Sequence, residues 1–410
     1  VSSFQALMVS TASRVGTGNI IGVSSAICIG GFGSVFWMWI IAIIGSASAL
    51  IESTLAQIYK RKGKDGECYG GPAYYIEAAL HCRPLAIIFC ISMIATYAFG
   101  FNMLASYNLQ STFSGFSFYD VKWTPWIIGG ILALITGWCL LGGGSRIVKV
   151  TSTLVPAMGV AYILISVIVM IINRAYLPVV FSKIISEAFD FKAIFGAFAG
   201  SAMMQGIRRG LYSNEAGIGS APNASASAQV SHPIKQGLVQ MLSVFIDTLL
   251  LCTATAMMCL SSGIAPAQEL QGAPWVQAAL HESLGNFGPL FITVAMVLFA
   301  FTTLLGNCFY CDNLLNYIHK GQPSKTFMKG FRIVSALVVF IGAGMEVSML
   351  WNISDVLMGV MALINIPVIL ILSNTALKAL ADYEKQKKNG ENPVFKTRNI
   401  GLEYETDYWS

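Results

Sequence analysis

Apolar residues fill this chain in long blocks divided by short polar and basic stretches. A bilayer core about 30 Å thick takes about 20 apolar residues per helix, and lipid offers a backbone group no partner outside the helix itself. The blocks therefore predict ten spanning helices, near residues 4–29, 33–59, 72–107, 124–141, 147–172, 192–211, 235–260, 287–316, 330–349 and 352–374. Two of the ten are interrupted. The first carries Val15-Gly16-Thr17-Gly18-Asn19 at mid-depth, and the sixth carries Phe195-Gly196-Ala197-Phe198-Ala199-Gly200-Ser201-Ala202. Between the fifth and sixth, Leu177 to Phe191 sets Lys183, Glu187 and Asp190 among apolar residues at helical spacing, as in an amphipathic helix on a membrane surface. Residues 261–286 read as a loop with a short helix, and the polar tail after Ala379 as a poorly ordered segment.

Composition agrees with a membrane protein: 55% of the 410 residues are hydrophobic and 11% charged, against about 25% charged in soluble domains. The formal charge of +5 is small and gathered at helix ends, so a nucleic-acid partner is not expected. Basic residues are retained on the cytoplasmic side. If the first span runs outward, twenty of the 25 Lys and Arg, Arg208 and Arg209 among them, fall inside, with Lys122, Arg174, Lys183 and Lys192 outside and Arg14 within the span. Both termini are accordingly expected in the cytoplasm of a multi-pass cell-membrane protein. The nine cysteines lie mostly inside apolar runs and read as small buried hydrophobes without disulfides. No signal peptide precedes the first span, and a piece ahead of Val1 is expected to be missing.

Enzyme signatures are lacking. His281-Glu282 has no second histidine four residues on, and no G-x-S-x-G elbow occurs. Two glycines beside a Thr and an Asn at membrane depth instead suggest a helix that opens, exposing N–H groups to a carboxylate and carbonyls to a cation; close helix packing is the other reading of the same glycines. Broken first and sixth members among ten spans fit an all-α five-plus-five inverted repeat: residues 1–176, then 177–376 including the amphipathic segment, then a polar tail at 377–410. Thr302 and Thr303, followed by Gly306 and Asn307, offer hard oxygens to a small alkali cation, or simply bond the carbonyl one turn back. Asp247, central in the seventh span, is costly unless paired, so a cation, a proton or a structural partner is expected there. Glu52 and Arg14 read as gate or packing partners of Arg208 or Arg209.

These segments resemble the alanine/glycine:cation symporter family of amino acid carrier proteins. Phe4-Gln5-Ala6-Leu7 with Arg14-Val15-Gly16-Thr17-Gly18-Asn19-Ile20 is similar to its first-repeat motif, and Gly70-Gly71-Pro72-Ala73-Tyr74-Tyr75-Ile76 to its entry to the third span. Arg209-Gly210-Leu211-Tyr212-Ser213-Asn214-Glu215-Ala216-Gly217-Ile218-Gly219-Ser220-Ala221-Pro222 resembles the family hallmark, expected on the cytoplasmic side. His232 to Gly237, Val244 to Thr248 and Phe301 to Gly306 continue the match. The resemblance implies a LeuT-type fold and sodium-coupled uptake of a small neutral amino acid by alternating access, with no enzymatic cofactor. A monomer in the bilayer is expected.

By this resemblance, Gly16, Thr17, Gly18 and Asn19 hold the substrate's carboxylate and amine. Phe195, Gly196, Phe198, Ala199 and Gly200 form the sixth-span half of the pocket. Carbonyls of Ala12, Val15 and Phe299 with the hydroxyls of Thr302 and Thr303 bind sodium. Departures fall at the side-chain end of the pocket, lined by Phe101, Asn102, Ala105 and Asn307. Asn307 stands where family members carry Trp, Ala105 where they carry Gln and Tyr107 where they carry Asn, which implies a substrate larger or more polar than alanine, such as glutamine, asparagine or serine. A proton-coupled carrier using Asp247, or a non-transporting amino-acid sensor, are the alternatives.

Overall fold

The computed structural model describes all residues except 64–66, 191–199, 403–405 and 410. Its helices are α1 (Ser3–Arg14), α2 (Ile21–Gly30), α3 (Gly33–Ile58), α4 (Pro72–Leu80), α5 (Arg83–Ser111), α6 (Thr124–Leu141), α7 (Gly143–Ile172), α8 (Leu177–Ala188), α9 (Ala202–Asn214), α10 (Ala221–Ser225), α11 (Pro233–Leu260), α12 (Ala273–Leu284), α13 (Phe287–Ile318), α14 (Lys325–Ala343) and α15 (Val347–Lys388). A two-stranded antiparallel hairpin pairs β1 (Arg61–Lys62) with β2 (Cys68–Tyr69).

Among the described residues, eight helices are long and apolar enough to cross a membrane: α3, α5, α6, α7, α11, α13, α14 and α15. The first span falls short of that length because it is two pieces, α1 and α2, and the sixth because it is α9 and α10. Side chains such as Leu134, Leu164, Leu363 and Leu370 project outward and exposed, whereas Arg14, Glu52, Asn102, Asp247 and Asn307 are buried. That inside-out distribution is what a lipid solvent selects. All nine cysteines are free.

Several sequence boundaries move. The third span begins at Arg83, because His81 (φ 52°) and the Arg83-Pro84 pair separate α4 from α5. The amphipathic segment forms α8, with Val180, Ile184 and Ala188 buried four residues apart on one face. The sixth span changes most. Gly206 lies against Ser34 and Met38 near the start of α3, Ala216 against Gly45, and Ser225 carbonyl against Gln57 near its end, so 202–228 runs beside α3 in the same direction. Gly30 meets Ala202 while Gly18 meets Tyr212, so α2 and α9 run oppositely. Among the described residues the sixth span runs from Ala202 and breaks at 215–220; most of the stretch Phe195 to Ala202, where the sequence suggests an interruption, lies outside the described residues. The hallmark segment carries this break. Arg208 and Arg209 consequently sit in the half of the span remote from the chain termini, which shrinks the charge bias without reversing it.

The face that carries Val1, the hairpin and the end of α15 is called the terminal face below, and the other the far face. The tail does not hang loose there. Beyond α15 it folds back and buries Phe395, Ile400 and Trp409, because its aromatic residues find an apolar seat among the helix ends, which a polar average composition conceals.

Candidate functional site

The first break is held by its own asparagine. α1 stops where Gly16 turns extended (φ −146°, ψ −151°), and its N–H donates to Asn19 Oδ1 (2.8 Å) instead of to Ala12 one turn back. Asn19 N donates to Gly16 O (3.2 Å), so the Ala12 and Val15 carbonyls both lose their helical donors. Asn19 Nδ2 donates to Asp247 Oδ1 (2.8 Å) and to the Asp247 carbonyl (3.2 Å). The other carboxylate oxygen accepts from Ser213 Oγ and Thr248 Oγ1, each at 2.9 Å. Asp247 lies in a π-helical stretch of α11, Phe245–Cys252, of the kind that often marks functional positions. Thr17 Oγ1 accepts from Asn108 Nδ2 (3.1 Å).

The second break is held by a carboxylate from a neighbour. Glu215 takes the left-handed conformation (φ 53°), and Gly217 and Gly219 follow at φ 82° and 86°, which glycine adopts without strain. Glu52 of α3 accepts from Gly217 N (3.3 Å), Gly219 N (3.2 Å) and Asn365 Nδ2 (2.9 Å). Asn365 also donates to Gly217 O (2.8 Å) and accepts from Tyr75 Oη (2.5 Å). Glu52 therefore pairs with backbone and not with Arg208 or Arg209, and Arg14 donates to Gln240.

The two breaks touch. Ser13 Oγ lies 2.9 Å from Glu215 Oε1 and 2.8 Å from Asn307 Oδ1, with one proton to share, and Ser220 Oγ donates to the other Glu215 oxygen (2.9 Å). Asn307 Nδ2 donates to Asn102 Oδ1 (2.9 Å). A side-chain network thus joins α1, the second break, α13 and α5. A second π-helical stretch, Ala95–Gly100, leads into Phe101 and Asn102.

Thr303 faces the first break so closely that a Cβ on Gly16 would collide with its Oγ1, and that hydroxyl is buried without a hydrogen-bond partner. Thr302 Oγ1 instead donates to Leu298 O (2.9 Å), with Phe299 O at 3.2 Å. An orphaned hydroxyl beside two released carbonyls is the donor set of a small hard cation. Among the described residues no group of three His, Cys, Asp or Glu stands together for a softer metal.

Phe101, Asn102 and Asn307 meet at the breaks. Ala105 is buried in the same apolar cluster as Ala12, Val15 and Phe299. Gly200 is exposed next to Ser201, the N-cap of α9, a full helix away from the break. Phe195, Gly196, Phe198 and Ala199 lie outside the described residues. Sequence reasoning missed Ser13, Asn108, Tyr212, Ser213 and Glu215. For Ser213 and Glu215 a signal was present in Ser213 to Ser220, which repeats the mixture of glycines and short polar residues seen at Val15 to Asn19.

On the far face the site is closed. Tyr212 stacks edge-on with Phe101 (4.9 Å) and Trp351 (5.0 Å), Arg209 lies 4.0 Å over the Trp351 ring, and its Nη2 meets Asp355 at 2.5 Å. Above it, Ser24 Oγ donates to Gly272 O (2.8 Å) and accepts from Gly272 N (2.9 Å). On the terminal face a cavity of about 870 Å³ opens, lined by Gln5, Val148, Asn223, Phe309, Asn313 and Arg332. Asn223 Nδ2 donates to the Gly219 and Ser220 carbonyls (3.0 Å each), so the cavity wall reaches the second break.

Residues 1–397 match the family described as the sodium:alanine symporter family. The amino-acid carrier protein AlsT of Bacillus subtilis is 44% identical over 401 residues, covering 98% of this chain and 84% of that protein. The probable sodium/glutamine symporter GlnT of the same organism is 42% identical over 396 residues, covering 96% and 81%. Among solved structures, MhsT in complex with L-phenylalanine aligns with a TM-score of 0.62 over 91% of this chain and 89% of that one, at 15% identity, which speaks for the fold alone.

Proposed function

The chain belongs to the sodium:alanine symporter family, a family of membrane transporters and not of enzymes, and on that premise we propose that it carries a small neutral amino acid inward with sodium by alternating access. The observation that carries this reading is the meeting of two broken helices at one buried point. The start of α2 presents a positive dipole end to a carboxylate. The Ala12 and Val15 carbonyls, Phe299 O and the Thr303 hydroxyl receive sodium, with Thr302 turning from its own helix to join them. The five-plus-five repeat supplies the motion, and the terminal face, with both termini, lies in the cytoplasm. The cavity on the terminal face and the aromatic cluster over the far face support reading this arrangement as inward-facing.

At the side-chain end, Asn102 and Asn307 present amides where an apolar lining would favour alanine. The buried pair loses hydrogen bonds when the substrate's side chain cannot replace them, so the preferred substrate is polar: glutamine, asparagine or serine. GlnT, named for glutamine, is among the similar proteins. Asp247 accepts three side-chain donors and positions Asn19; we assign it to holding the first break and not to carrying a proton.

Uptake into liposomes holding the full chain tests all of this. Sodium gradients are expected to drive uptake where potassium and proton gradients do not, and glutamine is expected to outcompete alanine and glycine. Alanine winning the competition would remove the polar-substrate reading. Proton-driven uptake abolished by Asp247→Asn would replace sodium coupling with a proton relay.

A further inference from the structure

Residues 391–402 and 406–409 return across the terminal face and tie four elements together. Phe395 N donates to Ser231 O (2.9 Å), Ser231 Oγ to Pro393 O (2.8 Å), and Lys235 Nζ to Asn392 Oδ1 (2.6 Å). Thr397 N donates to Trp409 O (3.0 Å), closing the segment on itself, and the Phe395 and Trp409 rings pack at 5.6 Å. Its end reaches α3 and the hairpin. Trp409 Nε1 donates to Gln57 O (2.7 Å), and Lys60 Nζ lies 4.8 and 4.9 Å from the Tyr408 and Trp409 rings. Asp407 accepts from Arg61 Nη1 (3.0 Å) and Lys62 N (2.9 Å), and Cys68 Sγ donates to Tyr408 Oη (3.0 Å). Phe395 is 2% exposed and Trp409 6%, so this is a seated contact and not a surface brush.

The seat is part of the moving machinery. Gln57 and Lys60 also donate to the Ala228 carbonyl (2.9 and 3.1 Å), just past α10, the half of the broken sixth span nearest this face. Cys68 and Tyr69 of the hairpin line the cavity. The segment springs from α15, which is itself tied to the α11 cap by His232 Nε2 and Asp382 Oδ2 at 3.3 Å.

We propose that residues 391–402 and 406–409 form a latch that stabilises the arrangement in which the cavity opens to the terminal face. Its contacts are made with the far-face lid shut and the cavity open, and contacts that are lost when the cavity closes shift the population toward the open state. Closing the cavity requires the hairpin and the end of α3 to move relative to the opposite wall of α7, α13 and α14, and the latch binds both to α15. The proposal deepens the alternating-access reading and rests on it. Its test is read by chemical labelling, so a failure of sodium-driven uptake is told apart from a failure of the latch.

The full chain in lipid nanodiscs is compared with Trp409→Ala and with the milder Asp407→Asn, which removes the charge pairing with Arg61, leaves one of the two donors facing an amide N–H and keeps the shape. Alkylation of Cys68, located by mass spectrometry, reports undocking; labelling of Ser145→Cys on the cavity wall reports the open cavity. Undocking is expected to speed Cys68 alkylation about tenfold, as local opening does, and to slow Ser145→Cys labelling about threefold as the open state loses population. An unchanged Cys68 rate in both variants overturns the docking. A faster Cys68 rate with Ser145→Cys labelling unmoved overturns the bias. If Trp409→Ala does not fold, Asp407→Asn decides alone.

Discussion

At the scale of single residues, the pair Thr302 and Thr303 separates roles that look identical in the sequence. Thr303 is the hydroxyl without a partner and Thr302 the one already bonded to its own helix. Thr303→Ala is expected to raise the sodium concentration for half-maximal uptake about tenfold, the equivalent of about 1.4 kcal/mol, and Thr302→Ala to do so less. Equal effects of the two would remove that distinction. Gly16→Ala places a methyl group against Thr303 Oγ1 and is expected to abolish uptake while the protein still reaches the membrane, as judged by surface expression. Gly16, Asn19 and Thr303 were legible as candidates because glycines and hydroxyls at membrane depth are conspicuous. Ser13 was not, because its hydroxyl becomes polar machinery only through Glu215 and Asn307, 200 and more positions away.

At the scale of elements, each break is stabilised by something the broken helix does not contain. Glu52, on another helix, accepts two N–H groups of the second break; Glu52→Gln leaves one of these donors facing an amide N–H, and is expected to cost about 1–3 kcal/mol, read as a lower Tm with uptake reduced. The start of α11 is held by His232, whose Nδ1 accepts the Ile234 N–H (3.2 Å), leaving the proton on Nε2 toward Asp382. Burial pushes His232 below its ordinary value of 6.5, with Asp382 offsetting part of that shift. The neutral ring is therefore the folded form. Its contribution is fully present above pH 6.5 and is lost as pH falls from there toward the lowered folded value, because the unfolded chain takes up a proton that the folded chain refuses. Hydrogen-exchange protection factors of residues 391–400, which divide out the intrinsic pH dependence of exchange, are expected to be lower at pH 5.5 than at 7.5 in the wild type and equally low at both in His232→Asn; pH-independent protection in the wild type would deny the imidazole this role.

At the scale of the whole molecule, lipid decides which residues are outside. Cysteine placed at Asn389, just past α15, is expected to escape an impermeant maleimide in intact cells and to react after permeabilisation; labelling of intact cells would put the termini outside. The sequence by itself determined the long apolar spans, the opening of the first at Val15 to Asn19, the amphipathic α8 and the kinship, because lipid requires continuous apolar runs and a break needs glycine locally. It did not single out the break at 215–220, pointing instead to a glycine-rich run ahead of α9, since hydropathy registers small residues alike whether they precede a helix or divide one. Only the tertiary structure decided that Glu52 wraps the second break, that Ser13 bridges to Glu215 and Asn307, and that the tail is seated on the terminal face. Those outcomes depend on which helices pack side by side, and a hydrogen bond across such an interface leaves no periodicity along either partner.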